Sequence, residues 1–167
     1  KQLGQRHTWM DLDRVGITGM SGGGFASARA MLSHSDFFKV AVSTAGNHDQ
    51  RTYVAGWGEA FQGLLQGDNY REQASVSFAK NLKGKLLLIH GDMDDNVHIA
   101  NTLQLIHELI AHNKDPDLLI LPNRRHLHLR DPYFIRRLWD YFVEHLLNET
   151  PPKNYCISAA PNKTSKP

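Results

Sequence analysis

The chain has 167 residues, of which 41% are hydrophobic and 22% are charged, and its formal net charge is +2. These values fit one globular domain with a sizeable core, and the mixed charges without a basic stripe argue against nucleic acid as a partner. The longest apolar runs have only the length of a strand, which predicts no membrane-spanning segment, and the single cysteine, Cys156, excludes a disulfide bond within the chain.

Hydrophobic runs predict four strands that alternate with helices along the chain. The predicted strands are residues 14–19, 37–46, 85–91 and 115–123. Helices are predicted over residues 22–34, along the spacing Ile99, Leu103, Ile106 and Ile110, and from Asp131-Pro132 onward along Ile135, Leu138, Trp139, Phe142 and Leu146. Because the strands are continuously apolar, the pattern indicates an α/β protein whose parallel sheet is covered on both faces.

Two segments interrupt this alternation. Residues 47–81 are polar with interleaved aromatic residues, and we expect short helices there. Residues 151–167 are rich in Pro, Lys, Asn and Ser, which predicts a flexible tail after a domain that spans residues 1–150.

The stretch GMSGG at residues 19–23 fits G-x-S-x-G, with a predicted strand before it and a predicted helix after it. This motif forms a strained turn that holds the serine hydroxyl above the sheet. We expect glycine to be required at both Gly19 and Gly23, because side chains there would collide in so tight a turn. The N–H of Gly22, at the start of the helix, would point at a developing oxyanion.

Two further strand ends carry residues suited to acid–base chemistry. Asp94 and Asp95 follow the third strand, and His126 and His128 follow the fourth. The carboxyl ends of parallel strands share one edge of the sheet, so these groups are expected near Ser21. The chain order Ser, Asp, His is that of the α/β-hydrolase triad and differs from the chymotrypsin and subtilisin orders.

Other interpretations of the glycine-rich stretch fail on spacing. A phosphate-binding P-loop would need Lys-Ser/Thr after the glycines, and none follows. The dinucleotide pattern G-x-G-x-x-G, started at Gly22, meets Ser27 in its last position. The short-chain dehydrogenase pattern, started at Thr18, meets Phe25 where it requires glycine.

Metal-binding interpretations fail in the same way. Residues 92–103 begin like a calcium loop, but they place Val97 where that loop needs glycine and Leu103 where it needs glutamate. His126 and His128 lack a third ligand at a recognisable spacing. We therefore expect no metal or other cofactor.

Several blocks of sequence, taken together, resemble the prolyl oligopeptidase family of serine peptidases, and most of all its dipeptidyl peptidase IV branch. The blocks are GMSGGGFAS, FFKVAVSTAGNHD, HGDMDDNV, NRRH and RRLWDYFVEHLL, and the resemblance covers roughly residues 8 to 155. It implies an α/β-hydrolase fold, of which this chain would supply the carboxyl-terminal half with about four parallel strands. The early strands and a β-propeller of the family are absent, so we expect a carboxyl-terminal piece of a longer protein.

The resemblance also implies roles for individual residues. The nucleophile, acid and base fall on Ser21, Asp94 and His126. Asn96 matches a residue that contacts the substrate carbonyl, and Val97 lies beside it among the expected substrate-binding residues. Tyr53 and Trp57 fall where the family has the aromatic wall of its proline pocket; ordinary packing or a surface hydrophobic patch is the alternative for these two aromatic residues.

One departure from the family pattern lies beside the expected base. The family usually has glycine where this chain has Leu127, so we expect extra bulk beside the imidazole of His126. The departure leaves His128 open as an alternative base.

The implied function is a serine peptidase that releases Xaa-Pro or Xaa-Ala dipeptides from the amino termini of peptides. The implied partners are the peptide substrate, the rest of the catalytic domain, a β-propeller and a second copy in a homodimer, and the implied location is periplasmic or otherwise extracytoplasmic. Two alternatives stay open at this point: an acyl-peptide hydrolase or esterase on the same triad, and a truncated, non-catalytic hydrolase-like module.

Overall fold

Four parallel strands form the centre of the computed structural model, which describes residues 1–157. The strands lie in the order β1-β2-β3-β4, and each pairs in parallel with the next. Their bounds are β1 Val15–Met20, β2 Phe38–Thr44, β3 Lys85–Gly91 and β4 Asp117–Leu121. The prediction of four parallel strands is confirmed, and all four carboxyl ends meet at one edge of the sheet.

Helices connect the strands and cover both faces of the sheet. The α-helices are α1 Gln2–Arg6, α2 Gly22–Ser33, α3 Ala55–Gln62, α4 Asn69–Gln73, α5 Ala100–Ala111 and α6 Pro132–His145. Two 3-10 helices span Gln50–Thr52 and Ser75–Asn81, so the predicted short helices between β2 and β3 are confirmed. Within residues 1–157, the structure contains no helix long and apolar enough to cross a bilayer.

The core consists of two apolar clusters, one on each face of the sheet. On the first face, α2, α5 and the second 3-10 helix pack on β2 and β3 through Ala28, Met31, Leu32, Ala41, Ala79, Leu82, Leu86, Leu88, Leu105 and Leu109. On the second face, α6 packs on the sheet through Val40, Val42, Leu87, Ile89, Leu121, Phe134 and Tyr141. Because β2 and β3 are buried on both faces, they read as continuous apolar runs in the sequence.

The predicted apolar stripes of α5 and α6 do not all face this core. On α5, Leu103 and Ile110 are 47% and 64% exposed, while Leu105 and Leu109 are buried. On α6, Trp139 is 55% exposed. The spacing of apolar residues gives the helical period, but the contact with the sheet decides which side of the helix is covered.

The start of α6 is fixed as the sequence predicts. Asp131 precedes Pro132, and its Oδ1 accepts hydrogen bonds from the backbone N–H groups of Tyr133 and Phe134 at 2.8 and 3.3 Å. The other carboxylate oxygen of Asp131 accepts from Arg124 Nε at 2.5 Å. This pair ties the loop after β4, which carries His126, to the helix that follows it.

The structure describes only the first part of the predicted tail, which spans residues 151–167. Residues 151–157 contain no helix or strand, and residues 158–167 lie outside the part of the chain that the structure describes.

Candidate active site

Ser21 occupies the turn between β1 and α2 in a backbone conformation that L-residues rarely adopt. Its φ is 58° and its ψ is −122°. Such a conformation costs of order 1–3 kcal/mol and persists only where the surrounding structure imposes it. Here the Ser21 N–H donates to the carbonyl oxygen of Thr44 at 2.9 Å, which ties the turn to the end of β2. The Ser21 hydroxyl makes no capping hydrogen bond to α2.

Close backbone approaches explain two of the glycines in this turn and correct the expectation for a third. A Cβ atom on Gly19 would lie 2.4 Å from the carbonyl oxygen of Gly23, and one on Gly24 would lie 2.4 Å from that of Thr44. The expected requirement for glycine at Gly23 is wrong, because a Cβ there would meet nothing within 4 Å apart from its chain neighbours and the backbone of its own helix among residues 1–157. It is the backbone of Gly23 that crowds Gly19, and the open side of Gly23 is exposed.

A cavity of about 490 Å³ opens beside Ser21. It is lined by Met20, Ser21, Gly22, Gly23, Phe25, Gln50, Trp57, Phe61 and Gln62. The Trp57 ring takes the space that a side chain at Gly22 would need, since a Cβ there would lie 2.8 Å from Trp57 Cζ2. The Phe61 ring lies 4.4 Å from that of Trp57 between centroids. Phe61 was not predicted, although its position four residues after Trp57 on a helix places both on one face.

Asp94 and His126 come together at the carboxyl edge of β3 and β4. His126 Nδ1 lies 2.8 Å from Asp94 Oδ2, and the Asp94 side chain is completely buried. The other oxygen, Oδ1, accepts from the backbone N–H groups of Asn96 and Val97, both at 2.9 Å. Burial raises the pKa of Asp94, but these hydrogen bonds outweigh burial and lower it below its ordinary value, so the carboxylate stays ionised.

Gly91 allows the two loops that carry Asp94 and His126 to meet. A Cβ atom on Gly91 would lie 2.1 Å from the carbonyl oxygen of Arg124, and the same oxygen accepts from Met93 N at 3.2 Å. The need for glycine at Gly91 is not visible in the sequence, because nothing in β3, which ends at Gly91, indicates that a second segment of the chain crosses there.

Leu127 and His128, which follow His126 in the chain, do not contact its imidazole ring through the interactions found in the structure. His128 Nδ1 donates to the carbonyl oxygen of Arg125 at 3.0 Å, and its ring packs edge-on against Phe134 with centroids 5.3 Å apart. Leu127 is 86% exposed. The expectation of added bulk beside the imidazole is therefore wrong, because the Leu127 side chain extends into solvent.

Tyr53, one of the expected substrate-binding residues, contacts two others, Asn96 and Trp57. The Tyr53 hydroxyl donates to Asn96 Oδ1 at 2.6 Å, and the Tyr53 ring lies edge-on to Trp57 with centroids 6.3 Å apart. Tyr53 and Asn96 are not among the residues that line the cavity beside Ser21. Val97 is completely buried, and its backbone contacts Asp94 and His90.

The Ser21 hydroxyl makes no hydrogen bond with another residue between 1 and 157. The structure thus brings Asp94 and His126 together, but within residues 1–157 it shows no hydrogen bond between His126 and the Ser21 hydroxyl. Catalytic hydrogen bonds are often long or poorly aligned without substrate and tighten only in its presence. The arrangement can supply an activated serine if His126 Nε2 reaches Oγ on substrate binding.

Comparison with known proteins decides the family. The model of the prolyl oligopeptidase family matches residues 1–149. The chain belongs to this family. It is 36% identical over 129 residues to dipeptidyl peptidase 8 of Homo sapiens, which covers 74% of the chain, and 38% identical over 118 residues to dipeptidyl peptidase 4 of Arthroderma otae, which covers 68%.

A solved structure agrees with this membership. A crystal structure described as that of a dipeptidyl aminopeptidase IV from Bacteroides ovatus superposes with a TM-score of 0.82 at 29% identity over 87% of this chain. The chain therefore has the α/β-hydrolase fold of prolyl oligopeptidases. It spans 14% and 15% of the length of the two named relatives and 21% of the solved chain.

Replacing Gly91 with alanine in this prolyl oligopeptidase family member is expected to lower its free energy of unfolding by about 1–3 kcal/mol or more. The added methyl group would force the backbone of Arg124 away, and over-packing of this kind is destabilising. The matched control is Gly23→Ala, which should change that free energy by less than about 1 kcal/mol because the site is open. Urea unfolding followed by circular dichroism measures both; equal values for the two variants would contradict the close approach at Gly91.

Proposed function

We propose that this chain carries a serine peptidase site in which Ser21 is the nucleophile, His126 the general base and Asp94 the residue that orients it. The observation that carries the proposal is the 2.8 Å contact between His126 Nδ1 and a buried carboxylate oxygen of Asp94, at the edge of the sheet where Ser21 sits. The names of the relatives, dipeptidyl peptidases 8 and 4, support this chemistry.

The contact fixes which nitrogen of His126 is the base. Nδ1 carries its proton toward Asp94 Oδ2, so Nε2 keeps a free lone pair. Nε2 accepts the Ser21 hydroxyl proton as Oγ attacks the substrate carbonyl, and it then gives that proton to the leaving amine as the C–N bond breaks. A water molecule attacks the resulting ester with the same assistance and releases Ser21.

The oxyanion formed in both steps needs hydrogen-bond donors. Helix α2 begins at Gly22, so the N–H of Gly22 is one of those that the helix itself leaves unpaired. It directly follows the nucleophile and lies at the positive end of the helix. We assign this N–H as one oxyanion donor.

The cavity beside Ser21 favours an apolar, compact residue at the cleavage site. Trp57, Phe61 and Phe25 provide aromatic surface there. A proline ring is apolar and rigid and has no N–H that would need a partner in such a pocket. We therefore propose that the enzyme releases dipeptides with proline or alanine in the second position.

Tyr53 and Asn96 have a different part in this proposal. Because the Tyr53 hydroxyl donates to Asn96 Oδ1, the amide Nδ2 of Asn96 remains to donate to a substrate carbonyl. We assign Tyr53 to orienting Asn96, and Phe61, together with Trp57, to the pocket wall. Val97, which is buried, holds Asp94 through its N–H.

Substitution of Trp57 tests this assignment on the complete protein that carries these residues. Trp57→Ala should raise KM for a Gly-Pro-anilide about 10- to 100-fold with a smaller change in kcat, because the lost aromatic contact binds substrate and transition state alike. Trp57→Phe, the control, keeps an aromatic ring against Phe61 and should stay within a few-fold of the wild-type KM.

The choice of substrates separates the alternatives. Cleavage of N-acetyl-alanyl or simple ester substrates in preference to Gly-Pro-anilide by the wild type would favour an acyl-peptide hydrolase or esterase. A folded protein that cleaves none of these and does not react with a serine-directed probe would favour a non-catalytic module.

A further inference from the structure

His90 lies on β3, is completely buried and makes hydrogen bonds through both ring nitrogens. Nε2 lies 2.8 Å from the carbonyl oxygen of Val97, and Nδ1 lies 2.8 Å from Thr102 Oγ1. A carbonyl oxygen can only accept, so Nε2 carries the proton. Nδ1 then accepts from the Thr102 hydroxyl. The surroundings thus select one neutral tautomer of His90.

The same Nε2 lies 3.1 Å from Asp94 Oδ2, the oxygen that also contacts His126 Nδ1. One carboxylate oxygen of Asp94 thus lies between two imidazole rings. His90 reaches Asp94 by a second route as well: it holds the carbonyl of Val97, whose N–H donates to Asp94 Oδ1 at 2.9 Å.

Burial keeps His90 in its neutral form, although the charge of Asp94 lies nearby. Burial lowers the pKa of His90, and His128 nearby lowers it further, while the hydrogen bond to Val97 and the charge of Asp94 act in the opposite direction without reversing the result. His48, which is also buried, has its own pKa lowered to about 3 by burial and by His90. A neutral His90 offers Asp94 an N–H dipole and leaves the carboxylate charge to stabilise an imidazolium at His126.

We propose that His90, held in one tautomer by the Val97 carbonyl and Thr102, is a positioning residue that fixes the Asp94 carboxylate for its contact with His126. The inference rests on the proposed function, since it assigns His90 a part in the same acyl transfer. His90 is not one of the residues that line the cavity beside Ser21. It would therefore act through Asp94 and not by contact with the substrate.

Paired substitutions in the complete protein test this role through the rate of reaction with a fluorophosphonate as a function of pH. His90→Leu removes the N–H and should lower the rate about 10-fold. The acid limb should also move to higher pH, because a carboxylate without this dipole binds the proton of the Asp94–His126 pair more tightly. His90→Gln places an amide N–H near the position of Nε2 and should recover most of both changes.

Thr102 provides a second pair that keeps the test valid if His90→Leu fails to fold. Thr102→Val removes the hydroxyl that donates to His90 Nδ1 and should lower the rate several-fold. Thr102→Ser keeps the hydroxyl and should bring the rate back toward the wild type. A merely structural role would lower the rate without moving the acid limb, and His90→Gln would not restore it.

The imidazole ¹⁵N spectrum of the wild type gives a readout that does not depend on activity. We expect His90 to be protonated at Nε2 and unprotonated at Nδ1. The opposite tautomer, or a folded His90→Leu variant with unchanged rate and acid limb, would overturn the inference. A wild type that fails to react at all would contradict the proposed function and the catalytic part of this inference, while the spectrum would still decide the contact between His90 and Val97.

Discussion

Replacing Ser21 with alanine is expected to abolish labelling by a fluorophosphonate probe and to lower peptide hydrolysis by about 10⁶-fold. The variant keeps the turn, because the Ser21 side chain makes no capping hydrogen bond to α2. Labelling is followed by gel fluorescence and hydrolysis by release of an anilide, both on the complete protein. Continued labelling of Ser21→Ala would contradict the assignment of the nucleophile.

Ser21→Gly is the matched control for the strain in this turn. Glycine adopts a φ of 58° without the cost that a Cβ atom imposes, so this variant should be about 1–2 kcal/mol more stable than Ser21→Ala while equally inactive. Thermal or urea unfolding of the two variants measures the difference. Equal stability would mean that the backbone at Ser21 is not held in the strained conformation.

Asp94→Asn is expected to lower the rate of acylation by about 10⁴-fold. The asparagine can keep its Oδ1 on the N–H groups of Asn96 and Val97, which places its NH₂ group against His126 Nδ1. Two donors then face each other, and His126 must move its proton to Nε2, where it blocks the base. Single-turnover reaction with a fluorophosphonate measures the rate.

The neighbouring Asp95 provides a control of the same chemistry. Asp95 pairs with Arg125 at 3.2 Å on the exposed surface, where such pairs contribute little. Asp95→Asn should therefore stay within a few-fold of the wild-type rate. Similar rates for the two asparagine variants would contradict the role of Asp94.

The lowered pKa of Asp94 also predicts how the stability of Asp94→Asn, compared with that of the wild type, depends on pH. A carboxylate whose pKa is lowered by folding contributes stability that is present above its ordinary pKa of 3.8 and is lost as the pH falls through the lower folded value. Asp94→Asn should be less stable than the wild type at pH 7, and the difference should narrow below about pH 4. A difference that stays constant across this range would show that Asp94 is not stabilised in its ionised form.

The sheet was predictable from chain order, and so was the gathering of acidic residues and histidines at one of its edges. The choice of Asp94 and His126 among them came from the family resemblance. Continuously apolar strands that alternate with helices indicate a parallel sheet, and polar residues just beyond such strands gather at one edge of it. The placement of Asp94 and His126 after β3 and β4 was therefore open to prediction without knowledge of side-chain directions.

What could not be predicted depends on contacts between segments far apart in the chain. Gly91 is required because the backbone of Arg124 crosses it, whereas Gly23, which looked equally necessary, faces open space. His90 reads as one more residue of a buried strand until its ring is seen between Thr102 and Val97. The spacing of residues predicts the secondary structure of one segment. The roles of these residues depend on which other segment packs against them.

The aromatic residues near Ser21 show the same limit. The sequence predicts one pocket wall made of Tyr53 and Trp57. In the structure Trp57 lines the cavity with Phe61, and the Tyr53 hydroxyl donates to Asn96. The sequence places all three in one short segment. The contact of α3 with Gly22 places Trp57 and Phe61 in the cavity lining, whereas Tyr53 precedes α3 and contacts Asn96.

Mapping the site of a fluorophosphonate adduct on the wild-type protein tests the central claim most directly. We expect one adduct by intact mass, located by peptide mapping on Ser21. A folded protein that stays unmodified, or an adduct on another serine such as Ser27 or Ser43, would contradict it.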